Sequence, residues 1–330
     1  MEPLVNVLIL SAGSRGKLVS YFQRALAGRG NVVTTDSSEL APTLYLADRH
    51  YVVPRITDPD YLPTILDICR RESIDTCLSL IDPELALLAD HADEFRAVGV
   101  TPMISPAEAV HRGFNKWDMY RFCVDNGIPT PRTWADAATL RADLEAGVVA
   151  LPLFAKPATG SASANIRTVT DAAELAEAWA LAPDMIVQEL MTGEAIDVDV
   201  YIDLITGEVI SLFAKKKLRM RAGTADKSVS FKDPALDRFV IDFCRVAGFR
   251  GAIDIDLFVT DDGYSLLEVN PRFGGVYPHA YECGVDFPSM LLRNVAGEAN
   301  EPNIGAYEED WAMLAYEEVV MTRIEGLSRN

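Results

Sequence analysis

The chain has 330 residues, 49% apolar and 24% charged, which fits a globular protein with a large core in two or three domains. Its formal charge of −19 argues against a nucleic-acid backbone or an anionic membrane as the main partner. Five scattered cysteines without a CxxC pair, four histidines without zinc spacing and no membrane-length apolar run or signal-like N-terminus point to free thiols and a cytoplasmic address.

Val5–Leu10 reads as a buried strand that ends in the turn Gly13-Ser14-Arg15-Gly16. An amphipathic helix over Lys17–Ala27 and a strand at Val32–Thr35 follow. A helix over Tyr61–Arg71 precedes a strand at Thr76–Ile81. Asp82-Pro83-Glu84 then has the form of a helix start, with Asp as cap and Pro at the first helical position. This rhythm predicts a doubly wound α/β domain over residues 1–110. The glycine turn lacks the full GxGxxG and is not a P-loop, so a nicotinamide dehydrogenase is the weakest reading. A turn that lifts a helix N-terminus toward an anionic ligand is more economical.

Asn115-Lys116-Trp117-Asp118 opens a helix, and Pro129 and Pro131 mark a hinge. Strands near 151–155, 185–190, 196–204 and 209–215, with helices over Ala172–Trp179 and Leu236–Ala247, predict an α+β unit over residues 111–300. Within it, about 130–190 would form a lid. Residues 301–330 are an acidic tail whose apolar run Trp311–Tyr316 is a candidate edge strand.

Lys156, at a strand end before the small-residue loop Gly160-Ser161-Ala162-Ser163, offers a point charge and backbone amides to a phosphate. A flexible loop with a snorkelling lysine explains it equally well. Gln188-Glu189-Leu190 and Glu194 lie where a strand runs into a polar turn suited to an adenine edge and a ribose, although an exposed acidic turn is the simpler account. The run Lys215–Arg221 concentrates a sixth of all Lys and Arg in an acidic chain and so favours anion binding. Asp197 and Asp199 read as structural.

The most informative stretch is Glu268-Val269-Asn270-Pro271-Arg272. Strand alternation sends Glu268, Asn270 and Arg272 to one face: two oxygen ligands for a hard divalent cation and a guanidinium fork for phosphate. Thr260-Asp261-Asp262-Gly263 joins this strand to Asp254–Val259 as a hairpin, which brings a further carboxylate alongside. A solvated acidic hairpin is the bland alternative. An arginine followed by Phe273-Gly274-Gly275 favours the metal and phosphate reading.

In order and spacing, Lys116, Lys156 with its loop, Gln188-Glu189-Leu190, the basic run, and Asp256 with Glu268–Arg272 resemble the ATP-grasp superfamily. The closest likeness is to carboxylate–amine ligases of the carbamoyl-phosphate-synthase-like type, over about residues 4–295. The resemblance implies a pre-ATP-grasp domain, a lid and a catalytic domain. Lys116 and Lys156 would touch the ATP phosphates under a loop from Gly160 through Ser161 to Ser163, with Lys215 also in the ATP site. Glu189 and Leu190 would hold adenine and Glu194 the ribose, with Gln188 also in the ATP site. Asp256, Glu268 and Asn270 would ligate magnesium, or manganese in its place. Lys156 and Arg272 would be catalytic. Arg221, Gly223, Ser14, Arg15 and Asp82 would face the substrate. The implied reaction activates a carboxylate as an acyl phosphate and couples it to an amine, with ADP released. The partners are then small molecules, and a homodimer is common among such ligases. Ala162 and Ala164 depart from a glycine-rich loop, and Glu194 sits one residue off the usual offset. The rivals are a carbamoyl-phosphate-type phosphorylating enzyme and a non-catalytic nucleotide-binding regulator.

Overall fold

The computed structural model describes residues 4–160, 165–221, 224–323 and 327. Five parallel strands open the chain: β1 (Val7–Leu10), β2 (Val32–Asp36), β3 (Arg49–Val52), β4 (Thr76–Ser79) and β5 (Thr101–Pro102), in spatial order β3-β2-β1-β4-β5. The order reverses between β1 and β4, so the carboxyl ends of these two strands flank the crevice where a doubly wound sheet presents its loops. The helix Tyr61–Arg71 has the bounds read from sequence. Gly13 N–H, in the turn before the helix Gly16–Leu26, donates to Asp36 Oδ2 at 3.0 Å, which ties the turn to β2. One local reading changes. Asp82 is the first helical residue of Asp82–Asp90 rather than its cap, because its carboxylate accepts from Arg272 instead.

An antiparallel lid sheet follows, with β6 (Thr133–Trp134), β7 (Leu153–Pro157), β8 (Arg167–Val169) and β9 (Met185–Glu189) in the order β6-β9-β7-β8. It closes on its own small core of Trp134, Leu140, Leu153, Val169 and Val187.

The third sheet is antiparallel: β10 (Ala195–Ile202), β11 (Val209–Arg221), β12 (Thr224–Ser230), β13 (Gly251–Thr260), β14 (Gly263–Asn270) and β15 (Ala312–Leu314), ordered β14-β13-β10-β11-β12-β15. Period-two alternation makes it two-faced. Ile196, Val198, Val200, Ile253, Ile255 and Leu212 enter a core with the helix Pro234–Ala247. The same parity sends Asp197, Asp199, Asp254, Asp256 and Lys215 to the other face. A bulge in β14 at Leu267 shifts the pairing, so Asp256 opposes Glu268 while Leu257 opposes Leu266. The apolar run near Trp311 supplies the edge strand β15, paired with β12.

The sheets do not float apart. Tyr21 and Phe22 of the helix Gly16–Leu26 share one core with Tyr201, Phe213, Phe273, Tyr277 and Phe287 from the C-terminal half. Among the described residues no helix is long and apolar enough to cross a membrane.

Candidate active site

A cleft of about 340 Å³ lies between the lid sheet and the polar face of the third sheet. Lys116, Lys156 and Gly160 line it from the lid side, and Asp256, Glu268, Asn270 and Arg272 from the sheet side. Apolar wall comes from Phe154, Met220 and Leu267. Two carboxylates, an amide, an arginine and two lysines thus converge although they are spread over 150 residues of sequence.

Local structure accounts for each position. Asn115 caps the helix Lys116–Asp125 by accepting from the Trp117 and Asp118 amides. That fixes Lys116, whose Nζ donates to Gly160 O at 2.9 Å and stands 3.8 Å from Glu268 Oε1. Lys156 sits at the buried end of β7, 6% exposed. Burial pushes its ammonium down to about 8, against the opposing pull of Glu268 and Asp256. It is a cation short of negative charge. On β13–β14 the register sets Asp256 opposite Glu268 and Asp254 opposite Asn270. Burial drives the Asp256 carboxyl above its ordinary range even though Lys217 is bound to it.

Arg272 donates from Nε to Asp82 Oδ1 at 2.9 Å and from Nη2 to Asn270 Oδ1 at 3.1 Å. Its guanidinium is thus oriented by the N-terminal domain on one side and a metal-ligand candidate on the other. Arg15 reaches over the same segment, donating to Gly274 O at 3.2 Å.

Several residues expected in the site have partners of their own. Lys215 is wholly buried, bound to Asp199 and 3.1 Å from Asp197 Oδ1, so it does not reach the cleft; Lys217, two residues on, lines it. Gln188 is buried in the lid, donating to Thr133 Oγ1 at 2.9 Å. The Glu189 carboxylate accepts from the Arg132 amide at 2.9 Å and the Glu189 amide donates to Arg132 O at 2.9 Å, so both groups are engaged within the lid. Glu194 is paired with Lys216 at 2.9 Å. Arg221 points to Glu317 at 2.7 Å on the C-terminal segment. Ser14 is exposed and lines a separate cavity of about 140 Å³ beside Arg15. Asp82 meets Arg272 rather than open cleft. Ser161, Ser163 and Gly223 lie outside the described residues.

Sequence reading named Lys217 only as part of the basic run, Asp254 only on the hairpin strand and Asp197 as structural, yet all three line the cleft. The signal was present in the parity of β10, β11 and β13, which puts every one of them on the face of Glu268.

This geometry defines an ATP-grasp architecture. Residues 114–276 match the family described as ATP-grasp domain, and residues 7–104 match PylC-like, N-terminal domain. The chain belongs to the ATP-grasp superfamily. A D-alanine–D-alanine ligase of Corynebacterium urealyticum is 27% identical over 217 residues, covering 56% of this chain and 59% of that protein. The chain spans 38–66% of the length of the curated relatives it matches. The biotin carboxylase domain of Hydrogenobacter thermophilus 2-oxoglutarate carboxylase superposes with a TM-score of 0.75 at 17% identity, over 94% of this chain and 74% of that one. An L-amino acid ligase from Bacillus licheniformis gives 0.70 at 18%, over 91% and 76%. At such identities these two speak for the fold alone.

Proposed function

We propose that the protein is an ADP-forming ligase that phosphorylates a carboxylate with ATP and couples the acyl group to an amine. The observation that carries this reading is the meeting of Lys116 and Lys156 with Asp256, Glu268, Asn270 and Arg272 in one cleft. The donor set fits magnesium: Asp256, Glu268 and Asn270 offer oxygen only, and burial leaves Asp256 in need of more positive charge than Lys217 supplies. Bound there, the metal would screen the phosphate oxygens.

The chain's own groups account for the rest. Lys156 and Lys116 neutralise negative charge on the transferring phosphoryl group from the lid side. Arg272, held by Asp82 and Asn270, presents its remaining N–H groups to the same oxygens from the sheet side. The carboxylate oxygen attacks phosphorus in line and the bond to ADP breaks. The amine nitrogen then attacks the acyl carbon, phosphate departs, and the amine loses a proton. The lid and the apolar wall of Phe154 and Leu267 exclude water that would otherwise hydrolyse the activated acid.

The test is ADP and phosphate release by the full chain with Mg-ATP, screened against amino acids in pairs and against bicarbonate alone. Release that requires both an acid and an amine is expected. Stimulation by bicarbonate alone would move the protein to the carbamoyl-phosphate-type class, and ATP binding without any stimulated turnover would make it a regulator.

A further inference from the structure

Under the cleft floor, the polar face of β10 and β13 carries Asp197, Asp199 and Asp254, with Asp199 directly opposite Asp254. Their exposures are 3%, 1% and 7%. One carboxylate oxygen from each lies within 4.8 Å of the others. The surrounding cations do not balance them. Lys215 binds Asp199 through Oδ2 and stands 3.1 Å from Asp197. Lys217 is bound to Asp256, Arg272 to Asp82, and Arg15 to a backbone carbonyl. Asn270 Nδ2 reaches Asp254 Oδ2 at 3.3 Å, which still leaves Asp199 Oδ1 and Asp254 Oδ1 buried without a hydrogen-bond partner.

A buried carboxylate oxygen without a donor is costly, so two side by side call for an explanation. Gly274 sharpens the point. A Cβ there would stand 2.7 Å from Asp254 Oδ1 and 2.9 Å from Asp199 Oδ1, the same two atoms. The glycine keeps their surroundings open where any other residue would close them.

We propose that Asp197, Asp199 and Asp254 form a binding site for a hard divalent cation, separate from the Asp256–Glu268–Asn270 set assigned to the nucleotide. Three carboxylates crowd around one ammonium, that of Lys215, and a divalent ion between them would relieve their mutual repulsion. The all-oxygen donor set selects the Mg²⁺ and Ca²⁺ class. Oxygens up to 4.8 Å apart suit Ca²⁺–O distances of about 2.3–2.6 Å, while Mg²⁺ requires a modest contraction. Asp197 and Asp254 line the cleft, so an ion has a path in. Its effect is to neutralise the floor on which an anionic ligand must settle.

The experiment uses the full chain, stripped with chelator and free of nucleotide and substrates, so its outcome does not depend on the reaction proposed above. Calorimetric titration with Ca²⁺ and with Mg²⁺, and metal analysis after gel filtration, should find one ion per chain. Asp199→Asn should weaken binding by about tenfold or more, Gly274→Ala by a similar factor, and Glu268→Gln should leave it unchanged. Failure of the stripped chain to take up either ion at about 1 mM, which is weak even for Ca²⁺ sites, overturns the site. So does binding that survives both Asp199→Asn and Gly274→Ala but is lost in Glu268→Gln. Because Gly274→Ala keeps every acid and base, it decides the matter if Asp199→Asn does not fold.

Discussion

On the lid side of the cleft Lys156 is buried with too little negative charge, and burial outweighs the pull of Glu268 and Asp256. On the sheet side the imbalance is reversed. Lys215 and Lys217 are held by aspartates, their ammonium groups driven above the ordinary lysine range once the acids outweigh burial, and carboxylates still remain in excess. Each wall is therefore incomplete in the opposite sense. Under the ligase reading proposed above, the contrast is how a strongly acidic chain would host a polyphosphate: the cations would meet the anion's oxygens and the acids its counter-ion, so the mean charge of the molecule is irrelevant at this scale.

Removing one wall's function tests that division most directly. Glu268→Ala should lower substrate-dependent ADP release by about 10³-fold with an unchanged melting temperature. Near-normal turnover would sink the metal assignment. Lys156→Met should cost about 10²-fold in kcat, with partial recovery in Lys156→Arg. The depressed lysine also sets a pH limit. As pH rises past about 8 the ammonium loses its proton, so kcat/KM should fall, and Lys156→Arg should move that fall to higher pH. Stability runs the other way: a lysine whose folded value lies below 10.5 adds stability as pH climbs from about 8 to 10.5, which melting curves across that range would show.

A smaller effect separates orientation from charge. Asp82→Asn keeps an acceptor but loses the ion pair to Arg272, and should reduce kcat by about tenfold while KM for ATP changes little. A large rise in KM instead would mean that Asp82 contacts the ligand. The smallest effect concerns His279, whose imidazole is pressed down to about 4 by burial and then by the charge of Lys215. Its Nδ1 lies 2.8 Å from Ser228 Oγ and its Nε2 3.0 Å from the Trp311 carbonyl. The stability it confers when neutral is complete above about 6.5 and is lost as pH falls toward 4. His279→Gln should flatten that acid limb by about 1 kcal/mol, read from denaturant melts at neutral and mildly acid pH. An unchanged limb would locate the acid sensitivity elsewhere.

Much of the frame was legible because its signals are local. The parallel N-terminal sheet, the helix opened by Asn115 and the hairpin of β13 and β14 follow from periodicity, capping and turn chemistry. What sequence could not settle depended on partners far along the chain. Lys215 and Lys217 share a face, and only the position of Asp197 and Asp199 on β10 decides which of them is consumed below the floor. Asp82 has the spelling of a helix cap, yet Arg272, 190 residues later, takes its carboxylate. Gln188 and Glu189 look like a binding turn, but Thr133 and Arg132 on the neighbouring segment engage their side chains. Short polar motifs announce capacity, and cross-strand register assigns it.

The aromatic core that joins the two halves has a practical corollary for anyone cutting the molecule. The family match for the N-terminal part ends at residue 104 and the next begins at 114, which invites expression of the second part alone. Yet Tyr21 stacks against Tyr281, and Phe22 packs edge-on to Phe273, one residue from Arg272. A fragment starting near residue 110 would bare Phe273, Tyr277 and Phe287 to water and take Asp82 away from Arg272. The boundary drawn by homology is thus a seam in ancestry only, and a truncation placed there should yield aggregate in place of a smaller enzyme.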